Sequence, residues 1–66
     1  MKEITHLRIR TAILTQKPKA EKVRFRNGEI HIYGQIPNTN QDGWYFFGYV
    51  QDVEIKGLAG IGLEED

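Results

Sequence analysis

The sequence predicts an all-β fold: a small five-stranded antiparallel barrel or curled sheet, SH3-like in the first instance and OB-like in the second. Three observations predict it. Asn27-Gly28 sits between two runs of alternating apolar and polar residues, the strongest short-range hairpin signal. β-Branched and aromatic residues crowd short segments separated by Gly, Pro and Asn, which suits a pleated surface. No segment shows a convincing helical period, and in 66 residues five short strands remove exposed edges by closing or curling the sheet.

The elements follow in order. From Ile4 to Thr15, Leu7, Ile9 and Ile13 alternate with His6, Arg8 and Arg10, which reads as a strand. Ala12 and Leu14 interrupt the alternation, so a bulge near Thr11 or burial on both faces is expected there. Residues 16–20 are polar and contain Pro18, which marks a turn. Val23 and Phe25 then alternate with Lys22, Arg24 and Arg26, and Ile30 and Ile32 alternate with Glu29, His31 and Tyr33. A two-residue turn at Asn27-Gly28 makes the paired residue numbers sum to 55, so Phe25 faces Ile30 and Arg24 faces His31. Pro37 to Gly43 is a polar connection, and Trp44 to Gln51 is a strand with two apolar faces. Gly48 within it suggests a bend or bulge. Val53 and Ile55 alternate with Asp52, Glu54 and Lys56 in a short fifth strand. Residues 1–66 thus form a single small domain, with 57–66 a flexible or barrel-closing tail.

Composition limits the chemistry. Cysteine and serine are both absent, which removes disulfides, thiolate metal sites, thiol nucleophiles and serine triads. The absence of disulfide staples in so small a domain favours the cytoplasm. The first residues lack the apolar core of a signal peptide, and no apolar run approaches the ~20 residues that span a bilayer. Net charge is zero but divided unevenly. Residues 1–28 hold eight basic and two acidic side chains, a net +6, and residues 29–66 hold one basic and seven acidic, a net −6.

His6 and His31 are the only histidines, and no spacing supplies further ligands, so no metal or cofactor is expected. Asp42 alone is too little for a calcium loop. Gly57, Gly60 and Gly62 are followed by no Gly-Lys-Ser/Thr, so they make no phosphate loop. Glu64, Glu65 and Asp66 read as a solvated acidic end. Nothing couples a titratable group to a pocket, so the expected role is binding and not catalysis.

The candidate site lies on the outer face of the hairpin and its neighbour. If the 44–51 strand pairs with the 29–36 segment so that Ile36 meets Trp44, the inner face collects Val23, Phe25, Ile30, Ile32, Ile36, Trp44, Phe46 and Val50. The outer face then collects Lys22, Arg24, His31, Tyr33, Tyr45, Phe47 and Tyr49. Three readings of that aromatic row compete. The first strand or the tail covers it as core; a protein partner or a second copy docks on it, since Tyr and Arg are favoured at interfaces; or single-stranded nucleic acid stacks on the rings while the cations meet phosphates. The expectation taken forward is a non-catalytic interaction module, such as an adaptor, assembly subunit or small inhibitor. Nucleic acid is the alternative ligand for the same face.

Overall fold

The computed structural model describes residues 2–65, with side chains from residue 4 onward. Asp66 of the acidic end lies outside them. The element order is α1 (Lys2–Gln16), β1 (Ala20–Arg26), β2 (Glu29–Gln35), β3 (Asp42–Tyr49) and α2 (Val50–Lys56), followed by a 3-10 turn at Leu58–Ile61. The three strands form one open antiparallel sheet in the order β1-β2-β3. This corrects the five-stranded all-β barrel, and with it both the SH3-like and the OB-like expectations: the fold is mixed, with two helices and an open sheet.

The first and fifth predicted strands are the two helices. In a strand, residues two apart share a face; in a helix they lie about 200° apart. Leu7 is exposed and Ile9 buried, and Ile55 is exposed and Val53 buried, so each pair straddles its element. α1 buries Ile9, Ala12 and Ile13, the spacing of one helical face. A second apolar row, Ile4, Leu7 and Leu14, occupies the opposite face, so the apolar residues together show no single helical period. The β-branched content of α1 argues for a strand, and tertiary packing overrides that weak preference. α1 ends before Pro18, which disfavours helix at the preceding residue; the Lys17 N–H still donates to the Ile13 carbonyl at 2.9 Å.

α2 has only seven residues, too few to hold a helix in water alone. It is anchored by burial of Val50 and Val53, and the Val50 N–H donates to the Gly28 carbonyl at 2.8 Å, joining the helix start to the β1–β2 turn. Asp52 in its first turn and Lys56 in its last both suit the helix dipole.

The β1–β2 hairpin has the register its turn dictates: Val23↔Ile32, Arg24↔His31, Phe25↔Ile30 and Arg26↔Glu29. Asn27 and Gly28 take φ of 53° and 76°, the left-handed pair of a tight turn.

The β2–β3 register differs from the sequence-based one. Its pairs are Gln35↔Asp42, Gly34↔Gly43, Tyr33↔Trp44, Ile32↔Tyr45 and His31↔Phe46. The connection is tighter than the polar run suggests. The Ile36 N–H donates to the Gln41 carbonyl at 2.9 Å, the Thr39 hydroxyl to the Ile36 carbonyl at 2.8 Å, and Gln35 Nε2 to the Thr39 carbonyl at 2.7 Å. Closure at Ile36–Gln41 draws Asp42 and Gly43 into β3. Trp44 therefore pairs with Tyr33 and not Ile36, and an odd shift in register exchanges the two faces of β3. Between His31↔Phe46 and Ile30↔Gly48, Phe47 is an extra residue in a bulge. The bulge restores the alternation and returns Tyr49, opposite Glu29, to the outer face.

The core lies between the inner sheet face and the helices. Ile9 and Ile13 of α1, Ile30 and Ile32 of β2, and Leu58 are its largest fully buried side chains, with Val50, Val53 and Leu63 beside them. Phe25, Tyr45 and Phe47 pack half-buried against this cluster. The His6 ring stacks on Phe25 with centroids 4.1 Å apart, and the Lys17 ammonium lies 5.1 Å from the Phe47 ring centroid.

The tail neither closes a barrel nor stays loose over its described residues. Leu58 and Leu63 are buried, and Gln16 clasps Glu64: its Nε2 donates to the Glu64 carbonyl at 2.9 Å and its Oε1 accepts from the Glu64 N–H at 2.8 Å. Glu65 accepts from Arg8 and from the Leu58 N–H, each at 2.5 Å. Gln16→Ala is expected to cost about 1 kcal/mol for the lost bonds, or roughly 4–8 °C in Tm. Faster amide hydrogen exchange at Glu64 is the direct check; unchanged exchange there would show that the clasp contributes nothing. Among the described residues, no helix is long and apolar enough to cross a membrane.

Candidate functional site

Both helices pack against the same side of the sheet, and none of the described residues forms a layer over its other side. The pairings place three cross-strand rows there: Lys22–Tyr33–Trp44, Arg24–His31–Phe46 and Arg26–Glu29–Tyr49. β1 contributes only cations to this face and β3 chiefly aromatic rings, with β2 between them supplying Glu29, His31 and Tyr33.

The face is apolar where it is most open. Trp44, Phe46 and Tyr49 are 39%, 49% and 51% exposed, and all three belong to β3. Their rings interlock at steep angles. Phe46 meets Tyr49 at 5.1 Å and 65°, Trp44 meets Tyr33 at 5.4 Å and 63°, and His31 meets Phe46 at 6.1 Å and 89°. Edge-to-face contacts of this kind add to the stability that burial alone supplies and hold the rings in fixed orientations.

Arg24 links the cationic and aromatic sides. Its guanidinium carbon lies 4.1 Å from the Trp44 ring centroid, well inside cation–π range. Its Nε is buried and has no hydrogen-bond partner. The side chain is thus seated by stacking, and the cation is held across β2 from one edge strand to the other. His31 Nε2 is 2.9 Å from a Glu29 carboxylate oxygen, two residues along the same strand face. Lys22 and Arg26 are exposed at the rim of the face.

Five of the seven sequence-predicted site residues meet on this surface: Lys22, Arg24, His31, Tyr33 and Tyr49. Tyr45 and Phe47 do not. They point to the helix side and pack against the core. Trp44 and Phe46, assigned to the interior by the sequence-based register, take their places outside. Alternation along β3 could not find them, because both faces of that strand are aromatic; only the closure of the 36–41 loop distinguishes the two.

Two open grooves are present among the described residues, one adjoining this surface at Tyr49 and one apart from it. One, of about 610 Å³, runs between the hairpin turn and α2 and is lined by His6, Asn27, Tyr49 and Glu54 among others. The other, of about 270 Å³, lies between α1 and the tail. Among the described residues, no three His, Cys, Asp or Glu side chains gather closely enough to hold a metal ion. No protein-family model, curated protein or solved structure matches this chain.

Proposed function

We propose that this protein is a non-catalytic interaction module whose partner is a protein docked on the outer face of the sheet. The carrying observation is the contiguous, half-exposed Trp44–Phe46–Tyr49 cluster, with Arg24 and Tyr33 packed at its edge. Trp, Tyr and Arg are the side chains that dominate interface energetics, and an exposed aromatic cluster rimmed by polar groups is the usual form of such a site. Lys22, Arg26, Glu29 and Asp42 surround it as that rim. Preset ring orientations also lower the entropy cost of docking.

The same face supports a second reading. Lys22, Arg24 and Arg26 are in line along β1, where phosphates of a single strand could lie while bases stack on the rings. Two features favour protein over nucleic acid. Stacking a succession of bases needs flat, open ring faces, whereas here the rings are set edge to face at 63–89°. One face of Trp44 is already covered by the Arg24 guanidinium.

The test is a selection from a phage-displayed random peptide library, followed by mapping of the selected peptides by NMR. Shift changes are expected on the outer-face residues of β2 and β3. The Trp44→Ala, Phe46→Ser double variant should keep its far-UV circular dichroism and lose at least about 30-fold in affinity, as removal of a ~2 kcal/mol hot spot implies. Peptides that map elsewhere, or that bind the double variant unchanged, would refute the reading. Tight capture of a mixed single-stranded oligonucleotide, weakening steeply with salt, would transfer the site to nucleic acid.

A further inference from the structure

The phase of the β2–β3 ladder fixes which main-chain groups β3 turns outward. In an antiparallel pair, hydrogen-bonded and non-bonded residue pairs alternate. The Ile36 N–H donates to the Gln41 carbonyl and the Val50 N–H to the Gly28 carbonyl, so both ends of the ladder are bonded positions. Counting inward from each end, Gly34↔Gly43, Ile32↔Tyr45 and Ile30↔Gly48 are bonded pairs, while Gln35↔Asp42, Tyr33↔Trp44 and His31↔Phe46 are not. The N–H and C=O groups of Asp42, Trp44 and Phe46 are therefore aimed away from β2, at the open edge of the sheet. Among the described residues, no backbone bond outside the ladder reaches them. A row of such groups is a template for another strand.

The two edges of the sheet are guarded differently, and the difference specifies the occupant. β1 carries Glu21, Lys22, Arg24 and Arg26, and charged side chains along an edge strand oppose pairing with another chain. β3 has Asp42 at its start and no charged residue from Gly43 to Tyr49. Two β1 edges brought together would oppose like charges, whereas two β3 edges would not. The outward residues 42, 44 and 46 are symmetric about Trp44. A two-fold axis there pairs Trp44 with Trp44 of a second copy and Asp42 with Phe46 in each direction, so every outward group of this run finds a partner. The axis keeps the two Asp42 carboxylates apart, and a net charge of zero adds no long-range repulsion between copies. The bulge at Phe47 ends the regular edge, so pairing stops at Phe46.

We infer that two copies of this chain join by antiparallel pairing of their β3 edges over residues 42–46, forming one six-stranded sheet. Side chains of directly paired residues lie on the same side of a sheet, so the helices of both copies stay on one side and the two aromatic faces become continuous on the other. Trp44 and Phe46, 39% and 49% exposed in the single chain, then gain ring neighbours across the axis. The bonds are made by the edge, so the proposal does not depend on a partner docked on the outer face. Five residues a side make a contact below the ~1,200 Å² of stable interfaces, and the dimer is accordingly weak and reversible.

The experiment is sedimentation equilibrium of the intact chain between about 10 μM and 1 mM, with amide hydrogen exchange measured at both ends of that range. The expected result is a monomer–dimer equilibrium in which exchange at the Trp44 and Phe46 amides slows as dimer forms. A dimer made only through ring contacts on the outer face leaves those amides open. Trp44→Lys and Trp44→Glu should each weaken self-association at least about tenfold, and mixing the two should restore it as a one-to-one heterodimer, because the axis sets residue 44 opposite itself. Should either variant lose its far-UV circular dichroism, a synthetic chain with an N-methyl group on Trp44 carries the test. It lacks the outward donor, keeps the ladder to β2 and should stay monomeric. A monomer at every concentration, a dimer with Trp44 and Phe46 amides unprotected, folded charge variants that fail to pair on mixing, or open-ended oligomers would overturn the proposal.

Discussion

Gly34→Ala is expected to remove most or all of the stability of this domain. Gly34 is buried in β2 on the helix side of the sheet, opposite Ala20 and Gly43. The connection from α1 enters β1 close against this point, and a β-carbon at residue 34 would run into the Lys19 carbonyl oxygen and then the Ala20 backbone. Both obstacles are main chain, fixed between a helix end and a strand start, so no rotamer change relieves them. Overpacking against rigid backbone costs roughly 3 kcal/mol or more. A single core of this size supplies only about 3–5 kcal/mol in total. The variant should therefore show no cooperative urea transition in far-UV circular dichroism. Gly28→Ala is the contrast. A β-carbon there meets no atom within 4 Å, and only the φ of 76° is unfavourable. Its expected cost is about 1–2 kcal/mol with the transition intact. Equal effects for the two substitutions would show that the α1–β1 connection does not pack against residue 34.

The second large effect distinguishes neighbours in β3. Phe47→Ser should destabilise the fold by about 2 kcal/mol, as expected for a half-buried ring that loses its packing and leaves a hydroxyl in its place. Phe46→Ser should change stability by less than about 1 kcal/mol, because the ring is half exposed and packs only on its outer-face neighbours. Urea midpoints of the two variants decide the matter. The opposite order would mean that Ile36 pairs with Trp44 and that Phe46 faces the core.

These two substitutions also locate the limit of what patterns along the chain reveal. The β1–β2 hairpin was legible because two independent signals agree: Asn27-Gly28 accepts the positive φ of a tight turn, and apolar residues at 23, 25, 30 and 32 fall on one face in the register that turn imposes. β3 was legible as a strand beside β2, but its parity was not. Trp44, Tyr45, Phe46 and Phe47 are aromatic without interruption, so neither face is marked as interior. Parity is decided by hydrogen bonds that close the 36–41 loop, and by a bulge at Phe47 that turns Tyr49 back outward.

The helices were hidden for a different reason. α1 has one apolar row for the core and another for the surface, and overlaying the two rows imitates alternation. α2 is a single short helix whose residues would serve equally well in a strand; what makes it helical is burial of Val50 and Val53 and a bond to the Gly28 carbonyl.

Local chemistry thus determined where the chain reverses at Asn27-Gly28, which strands flank that reversal, and that cations and aromatic rings would share a sheet face. Tertiary structure alone decided which rings those are, that the sheet stays open, and that its other side is covered by helices. The division follows from the range of the forces. A turn and its flanking pairs are settled by neighbours a few residues apart, while the parity of an aromatic strand and the state of a short apolar segment depend on what packs against them from elsewhere in the chain.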